Sequence, residues 1–248
     1  PGSEEIVDAL FYIANNYPKQ LRTKELCETL ESVTLIGAKI NALMADHPER
    51  KKNMTIYDLA CGHGLLGILI AYRFPNVNVV CIDHEERPCW STYIEAFEKY
   101  GEKWEGKDSV MTNFTFREGD LMDTATFQPQ IGDYLICIHG CNDLSPYILQ
   151  SAKQNKCGYA IMPCCVRENI FGVSTKSSNR NWGMDDDTRY ATMVGCLAGK
   201  YDCEKIAAIS KYITNRFLMI IGDYYEDGGG GSSDDKESEA AETSKRAK

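Results

Sequence analysis

The chain has 248 residues, 43% of them apolar, which is enough for one substantial core with appendages. Its formal charge is −9; the stretch from Glu226 to Lys248 holds seven acids and four bases, so it carries −3 and the body −6. A body that negative has no global attraction for nucleic acid phosphates, and no run of about 18 apolar residues is present to span a membrane.

Residues 4–17 read as a helix with Ile6, Leu10, Ile13 and Tyr17 on one stripe, and Pro18 stops it. A second helix is expected from about Thr23 to Met44. Together these form an N-terminal helical extension, residues 1–50, which either covers a ligand pocket or only completes the core. Ile56-Tyr57-Asp58-Leu59-Ala60-Cys61-Gly62-His63-Gly64 follows: a short apolar strand running into a turn with two glycines, then an apolar helix from Leu65 to Phe74. A second strand, Val77 to Ile82, ends at Asp83. Pro88 suits a first helical turn, and Trp90, Tyr93, Ile94, Phe97 and Tyr100 then recur at helical spacing, an aromatic stripe expected to be core.

Asn113 to Arg117 is a short strand followed by Glu118-Gly119-Asp120-Leu121, and Asp133 to Ile138 is a strongly apolar one. Ser145-Pro146 reads as a helix opening with Ser as N-cap. Gly158 to Met162 is another apolar strand, and residues 163–186 form a long polar loop of the kind that often carries function. Asp185-Asp186-Asp187 opens a helix to about Lys200. Glu204 to Ile213 and Arg216 to Tyr224 are β-rich runs joined by Thr214-Asn215, a closing hairpin, and a disordered Gly/Ser and charged tail occupies 226–248.

Strands alternating with helices, then a hairpin, predict an α/β Rossmann-like domain over 51–225: a seven-stranded, mostly parallel sheet with helices on both faces and a terminal antiparallel hairpin. The eleven cysteines form no CxxC pair, and reduced buried thiols in an intracellular, cytoplasmic protein are expected. The chain does not begin with Met, which leaves a removed targeting peptide open.

Ligands in open α/β sheets bind beyond the carboxyl ends of the strands, next to the first. Gly62 and Gly64 let the backbone turn tightly and approach a ligand. Asp58 and nearby carbonyls suit an ammonium, and N–H groups at the helix start suit a carboxylate. Asp83 is placed for ribose hydroxyls, and Asp120, with the Leu121 N–H, for an adenine amino group. These are the parts of S-adenosylmethionine, and they define a donor site of Asp58, Ala60, Cys61, Gly62, Gly64, Asp83, His84, Asp120, Leu121 and, from a later segment, His139. The spacing Gly62-x-Gly64-x-x-Gly67 also fits a dinucleotide fingerprint. The acid before the turn, the acidic loop at 118–121 and the hairpin favour methyl transfer.

Ile138-His139-Gly140-Cys141-Asn142-Asp143-Leu144-Ser145 and Met162-Pro163-Cys164-Cys165 resemble paired segments, "LHxCxDLS" and "PCC", of a methyltransferase-domain family. That family includes eukaryotic tRNA acceptor-stem ribose methyltransferases and methyltransferase-like proteins. The resemblance covers about residues 54–166 and implies a class I fold, S-adenosylmethionine as donor and an active site framed by the two segments. Asn142 departs from the Gly of many relatives, and the Cys/His region of the tRNA enzymes is missing.

His139 is a candidate general base, with an unperturbed pKa of about 6.5, and Asp143 could orient it or bind substrate; the alternative is a hydrogen-bonded structural histidine. Cys141, Asn142, Pro163, Cys164 and Cys165 are expected to wall the acceptor site, ahead of thiol-nucleophile or zinc-ligand roles, and no metal is expected. Arg167, Lys176, Arg180, Trp182 and Arg189 on or beside the long loop are candidates for an anionic acceptor, Arg167 and Arg180 first. The acceptor itself is open: a small molecule or protein is favoured over RNA, with a noncatalytic scaffold as the alternative from another class. Oligomeric state is left open.

Overall fold

A computed structural model describes residues 3–100, 111–123, 125–140, 143–164 and 185–226. Seven strands form one sheet in the order β3-β2-β1-β4-β5-β7-β6. They are β1 (Thr55–Leu59), β2 (Asn78–Asp83), β3 (Phe114–Glu118), β4 (Tyr134–Gly140), β5 (Gly158–Pro163), β6 (Lys205–Ala208) and β7 (Leu218–Asp223). The first five run parallel. β7 inserts antiparallel between β5 and β6. The chain therefore starts at the sheet centre, moves to one edge, crosses back over β1 and closes with the hairpin, the Rossmann-like arrangement expected from the sequence. The crossover beside β1 leaves a crevice at the carboxyl ends of β1 and β4.

The period of two along the strands divides the core. Ile56, Val79, Cys81, Tyr134, Ile136, Ala160, Met219 and Ile221 face one side, under α1 (Ser3–Asn16), α2 (Thr23–Asp46), α4 (Leu65–Arg73) and α5 (Cys89–Tyr100). Tyr57, Leu59, Ile82, Leu135, Cys137, Tyr159, Ile161 and Ile220 face the other, under α6 (Leu144–Gln154) and α7 (Asp186–Lys200). The N-terminal helices thus share one core with the sheet. The aromatic stripe of α5 is core: Trp90, Tyr93 and Phe97 are buried.

α3 (Arg50–Asn53), a single turn, was not legible in the sequence. It places Arg50 in the interior, where Nε and Nη2 donate to the Gly132 carbonyl at 3.0 and 2.8 Å and Nη1 pairs with Asp223.

Two local expectations are corrected. Ser145 is not the N-cap of α6; the helix begins two residues earlier than expected, at Leu144, Asp143 holds the cap position, and the Ser145 hydroxyl donates to the Gly140 carbonyl at 2.9 Å. The terminal hairpin is not tight, because β6 ends at Ala208 and β7 begins at Leu218. The intervening backbone is drawn toward α2, where the Glu31 carboxylate accepts the Ser210 N–H at 2.5 Å. The Asp185 cap of α7 is as expected, its carboxylate accepting the Thr188 N–H at 2.7 Å. Of the nine described cysteines only Cys81, Cys137 and Cys157 are buried, and all nine are free thiols. Cys141, Asn142, Cys165, Arg167, Lys176, Arg180, Trp182 and the stretch 227–248 lie outside the described residues.

Candidate active site

The turn after β1 is built from left-handed backbone. Ala60, Gly62 and Gly64 have φ of 53°, 56° and 70°. The glycines serve different ends. A Cβ on Gly62 would meet nothing within 4 Å, so its face is open to a ligand, whereas a Cβ on Gly64 would lie 2.3 Å from the Trp90 ring. Gly67 lets α4 approach the sheet: a Cβ there would lie 2.2 Å from Cys81 Sγ. Trp90 also fixes the turn directly, its indole N–H donating to the Gly62 carbonyl at 3.2 Å.

Asp58 sits beneath this turn, 2% exposed, accepting the Gly67 N–H at 3.0 Å. Burial pushes its carboxyl up to about 7, against the lowering effect of the Gly67 N–H. A cation above it would hold it ionised. Asp83 spans the next strand end, accepting the Gly62 N–H at 2.7 Å on one oxygen and the His84 N–H at 2.7 Å on the other. The carboxylate is thus locked in orientation beside the turn, with lone pairs remaining for hydroxyl donors.

Opposite the turn, β4 carries an irregularity. The β4–β5 register passes from Ile138↔Met162 to Gly140↔Pro163, leaving His139 unpaired with φ of 62°. A bulge with a non-glycine residue in left-handed backbone is a strained way to end a strand, and it re-aims the side chain. His139 Nε2 comes within 3.3 Å of Glu28 Oε2 on α2. Glu28 is itself buried, with Lys24 3.4 Å from its other oxygen.

A cavity of about 520 Å³, within the range of small-molecule sites, lies between these walls. Ala60, Cys61, Gly62 and His63 line it from the turn, Asp58 and Leu66 from below, Ile138, His139 and Cys164 from the ends of β4 and β5. Arg22, Lys24, Glu25, Glu28, Thr29 and Ser32 line it from α2, and Thr214, Asn215 and Arg216 from the β6–β7 loop. Burial lowers the pKa of His63, whose Nδ1 accepts the Leu65 N–H at 3.3 Å.

Of the residues expected from sequence, Asp58, Ala60, Cys61, Gly62, His139 and Cys164 meet at this cavity, and Asp83 joins through its bond to Gly62. Gly64 is buried behind the turn against Trp90. His84 is exposed and does not line the cavity. Asp120 is exposed and caps its own turn, accepting the Met122 N–H at 2.9 Å, while Leu121 is buried in the second core. The Gly119 N–H donates to the Asp83 carbonyl at 2.9 Å, which ties this loop to the end of β2. Pro163 is buried at the end of β5, its carbonyl accepting the Tyr190 hydroxyl at 3.0 Å. Asp143 is exposed at the start of α6, and the carboxylate that meets His139 is Glu28 instead.

Of the two expectations for the N-terminal helices, α2 meets the one that covers a pocket, though none of its lining residues was named; the contribution of the β6–β7 loop was not expected. One signal was present: along the inward stripe of α2, Glu28 and Ser32 precede Ile36, Ile40 and Leu43, so polar residues occupy one end of a core-facing stripe. Arg216 carried no such signal, because the long β6–β7 loop brings it in.

Residues 29–169, more than half of the chain, match the family described as "Methyltransferase domain". The chain belongs to this methyltransferase-domain family. No curated protein matches the sequence. Solved structures similar to it include the S-adenosylmethionine-dependent methyltransferase SibL in its apo form, at 11% identity and TM-score 0.40 over 75% of this chain. The chain spans 55% of that protein's length. An O-methyltransferase family protein from Burkholderia thailandensis is 14% identical over 91% of this chain and 72% of its own, with TM-score 0.42. TrmK of M. capricolum, in complex with S-adenosylhomocysteine, is 12% identical over 74% of this chain and 70% of its own, with TM-score 0.40.

The cavity fits the donor this family implies. The open face of Gly62, the buried carboxyl of Asp58, which a cation would hold ionised, and the fixed carboxylate of Asp83 suit a ligand carrying a cationic amino-acid end and a sugar. No helix among the described residues is long and apolar enough to cross a membrane.

Proposed function

We propose that this methyltransferase uses S-adenosylmethionine, bound over the Gly62 turn with its ribose on Asp83, to methylate an acceptor held between α2 and the β6–β7 loop. The observation that carries the reading is the His139–Glu28 pair, 3.3 Å apart on the wall facing that turn. When bound, the donor supplies an activated methyl group, so the protein's task is positioning and removal of one proton. His139, fixed by the bulge at the end of β4, takes the acceptor's proton at its other ring nitrogen, and Glu28 orients the ring and offsets the charge that forms. Asp58 holds the ammonium end of the donor. The loop at Asp120 and Leu121 lies on the adenine side, joined to Asp83 through Gly119.

The cavity volume favours a small molecule, or one side chain of a protein, as acceptor. RNA is the second reading. It rests on the resemblance of the 138–145 and 162–165 segments to the tRNA enzymes, and the −9 charge of the chain weighs against it.

The test is incubation with methyl-labelled donor and separated metabolite, protein and RNA fractions. Label in the metabolite or protein fraction, lost in His139→Ala, supports the reading. Label in RNA alone replaces it with the second. Absence of both label and donor binding would make the chain a scaffold that keeps only the fold.

A further inference from the structure

Among the described residues, six buried side-chain N or O atoms have no hydrogen-bond partner. Three of them, Glu28 Oε1, Ser32 Oγ and Arg216 Nη1, belong to residues lining the one cavity described above. Native interiors leave few such atoms, and each calls for an explanation. Their concentration at one cavity places polar groups where a bound molecule's donors and acceptors would satisfy them.

The three atoms are chemically complementary to one kind of molecule. Glu28 is 5% and Ser32 0% exposed, and they lie one helical turn apart on the inner face of α2. Lys24 Nζ lies 3.4 Å from Glu28 Oε1 without forming a hydrogen bond. A carboxylate oxygen only accepts, so Glu28 Oε1, which meets only the Lys24 ion pair, has room for an N–H or O–H, and the Ser32 hydroxyl can serve the same group. Arg216 on the opposite wall can only donate. Its guanidinium is immobilised: Nε donates to the Cys164 carbonyl at 3.0 Å, Nη2 reaches Asp186 at 3.4 Å, and the plane lies over the Tyr190 ring, 4.9 Å from its centroid. The remaining nitrogen, Nη1, is held in place with no acceptor. A fixed arginine fork with one free arm suits a carboxylate.

We infer that the acceptor is a small amino acid-like zwitterion, its amine held by Glu28 and Ser32 beside His139 and its carboxylate gripped by Arg216. This rests on the reading of the cavity as a methyl-transfer site and adds the acceptor's chemical class. The α2 helix and the β6–β7 loop are tied to each other by the Glu31–Ser210 hydrogen bond, so the two walls keep a fixed spacing and select ligand length.

The experiment is isothermal titration of the full chain, saturated with S-adenosylhomocysteine, against free α-amino acids. Each hit is repeated with its decarboxylated amine and its deaminated acid. Wild-type protein is expected to bind at least one amino acid, and to bind both truncated probes at least tenfold more weakly. Ser32→Ala and Arg216→Lys are expected to weaken the amino acid at least tenfold while S-adenosylhomocysteine affinity stays within twofold. Ser32→Ala removes one buried hydroxyl without changing shape, which keeps the test interpretable where Arg216→Lys disturbs the loop. If no amino acid binds, or the amine or acid alone binds as well as the whole, the inference is overturned. It is also overturned if the variants weaken S-adenosylhomocysteine as much as the amino acid, since the unpaired atoms then face the donor's own amino-acid end. In both cases the methyl-transfer reading stands; only failure of wild-type protein to bind S-adenosylhomocysteine at all removes that reading.

Discussion

Replacing Asp58 by Asn separates what the site needs from what the fold prefers. Asp58 is 2% exposed, and burial raises its carboxyl from the ordinary 3.8 to about 7. Between these values the unfolded chain has lost the proton and the native protein keeps it. The native state then binds more protons, so stability falls as pH rises from about 4 to 7 and levels off above. A shift of roughly 3 units corresponds to about 4 kcal/mol at ~1.4 kcal/mol per unit. Asn removes that pH-dependent penalty and keeps an oxygen for the Gly67 N–H, but its amide hydrogens lack a good acceptor, which costs on the order of 2 kcal/mol. The variant should therefore be more stable than wild type at pH 8 by about 2 kcal/mol, or roughly 4–8 °C in Tm for a domain of this size. At pH 5, where wild-type Asp58 is protonated, the advantage should vanish or reverse. The same variant should bind S-adenosylhomocysteine at least tenfold more weakly at pH 8, because the ammonium loses its counter-charge. Thermal unfolding at the two pH values with calorimetric titration reads all three. A stability difference that does not change between pH 5 and pH 8 would refute the burial argument.

Further substitutions probe other parts of the site and its frame. Gly64→Ala puts a methyl group 2.3 Å from the Trp90 ring on left-handed backbone, and a loss of about 3 kcal/mol or more in urea unfolding is expected. Asp83→Ala should abolish measurable S-adenosylhomocysteine binding while leaving Tm within a few degrees, since one of its two N–H partners is exposed and the other only partly buried. His139→Ala should lower kcat by about a hundredfold with donor affinity unchanged. Glu28→Gln should lower kcat roughly tenfold without changing Tm or the donor KM, a split that a purely structural role would not produce. Asp223→Ala strands the buried Arg50 guanidinium and should cost about 3–5 kcal/mol in denaturant unfolding with no specific effect on ligand binding.

The arrangement proposed to hold the donor was legible as a cluster because its residues are close in sequence. A strand, two glycines and an acid at the next strand end lie within thirty residues, roughly one βαβ unit, and local chemistry alone orders them. The sheet was legible for the same reason: strand and helix patterns alternate, and the crossover rule then leaves few topologies. The proposed acceptor side was legible only in part: His139 and Cys164 were expected there, but Glu28, Ser32 and Arg216 were not. His139 was visible as a residue, but the bulge that turns it away from the strand depends on pairing with β5. Asp143 looked like its partner because it is near in sequence; Glu28, more than a hundred residues away, takes that place because α2 packs across the strand ends. Arg216 enters through the loop anchored at Glu31, and the reading had placed a strand in part of that loop. Patterning sees one element at a time, whereas these contacts belong to pairs of elements. The expected N-cap at Ser145 failed similarly, since its hydroxyl bonds the end of β4 rather than its own helix.

The most direct measurement is a crystal structure of the chain with S-adenosylhomocysteine. The predicted result has the ribose hydroxyls on Asp83, the amino-acid end over Gly62 with its ammonium toward Asp58, and the sulfur facing His139 across the cavity. A nucleoside bound elsewhere, or a Gly62 face filled by the protein's own side chains with the ligand excluded, would contradict it.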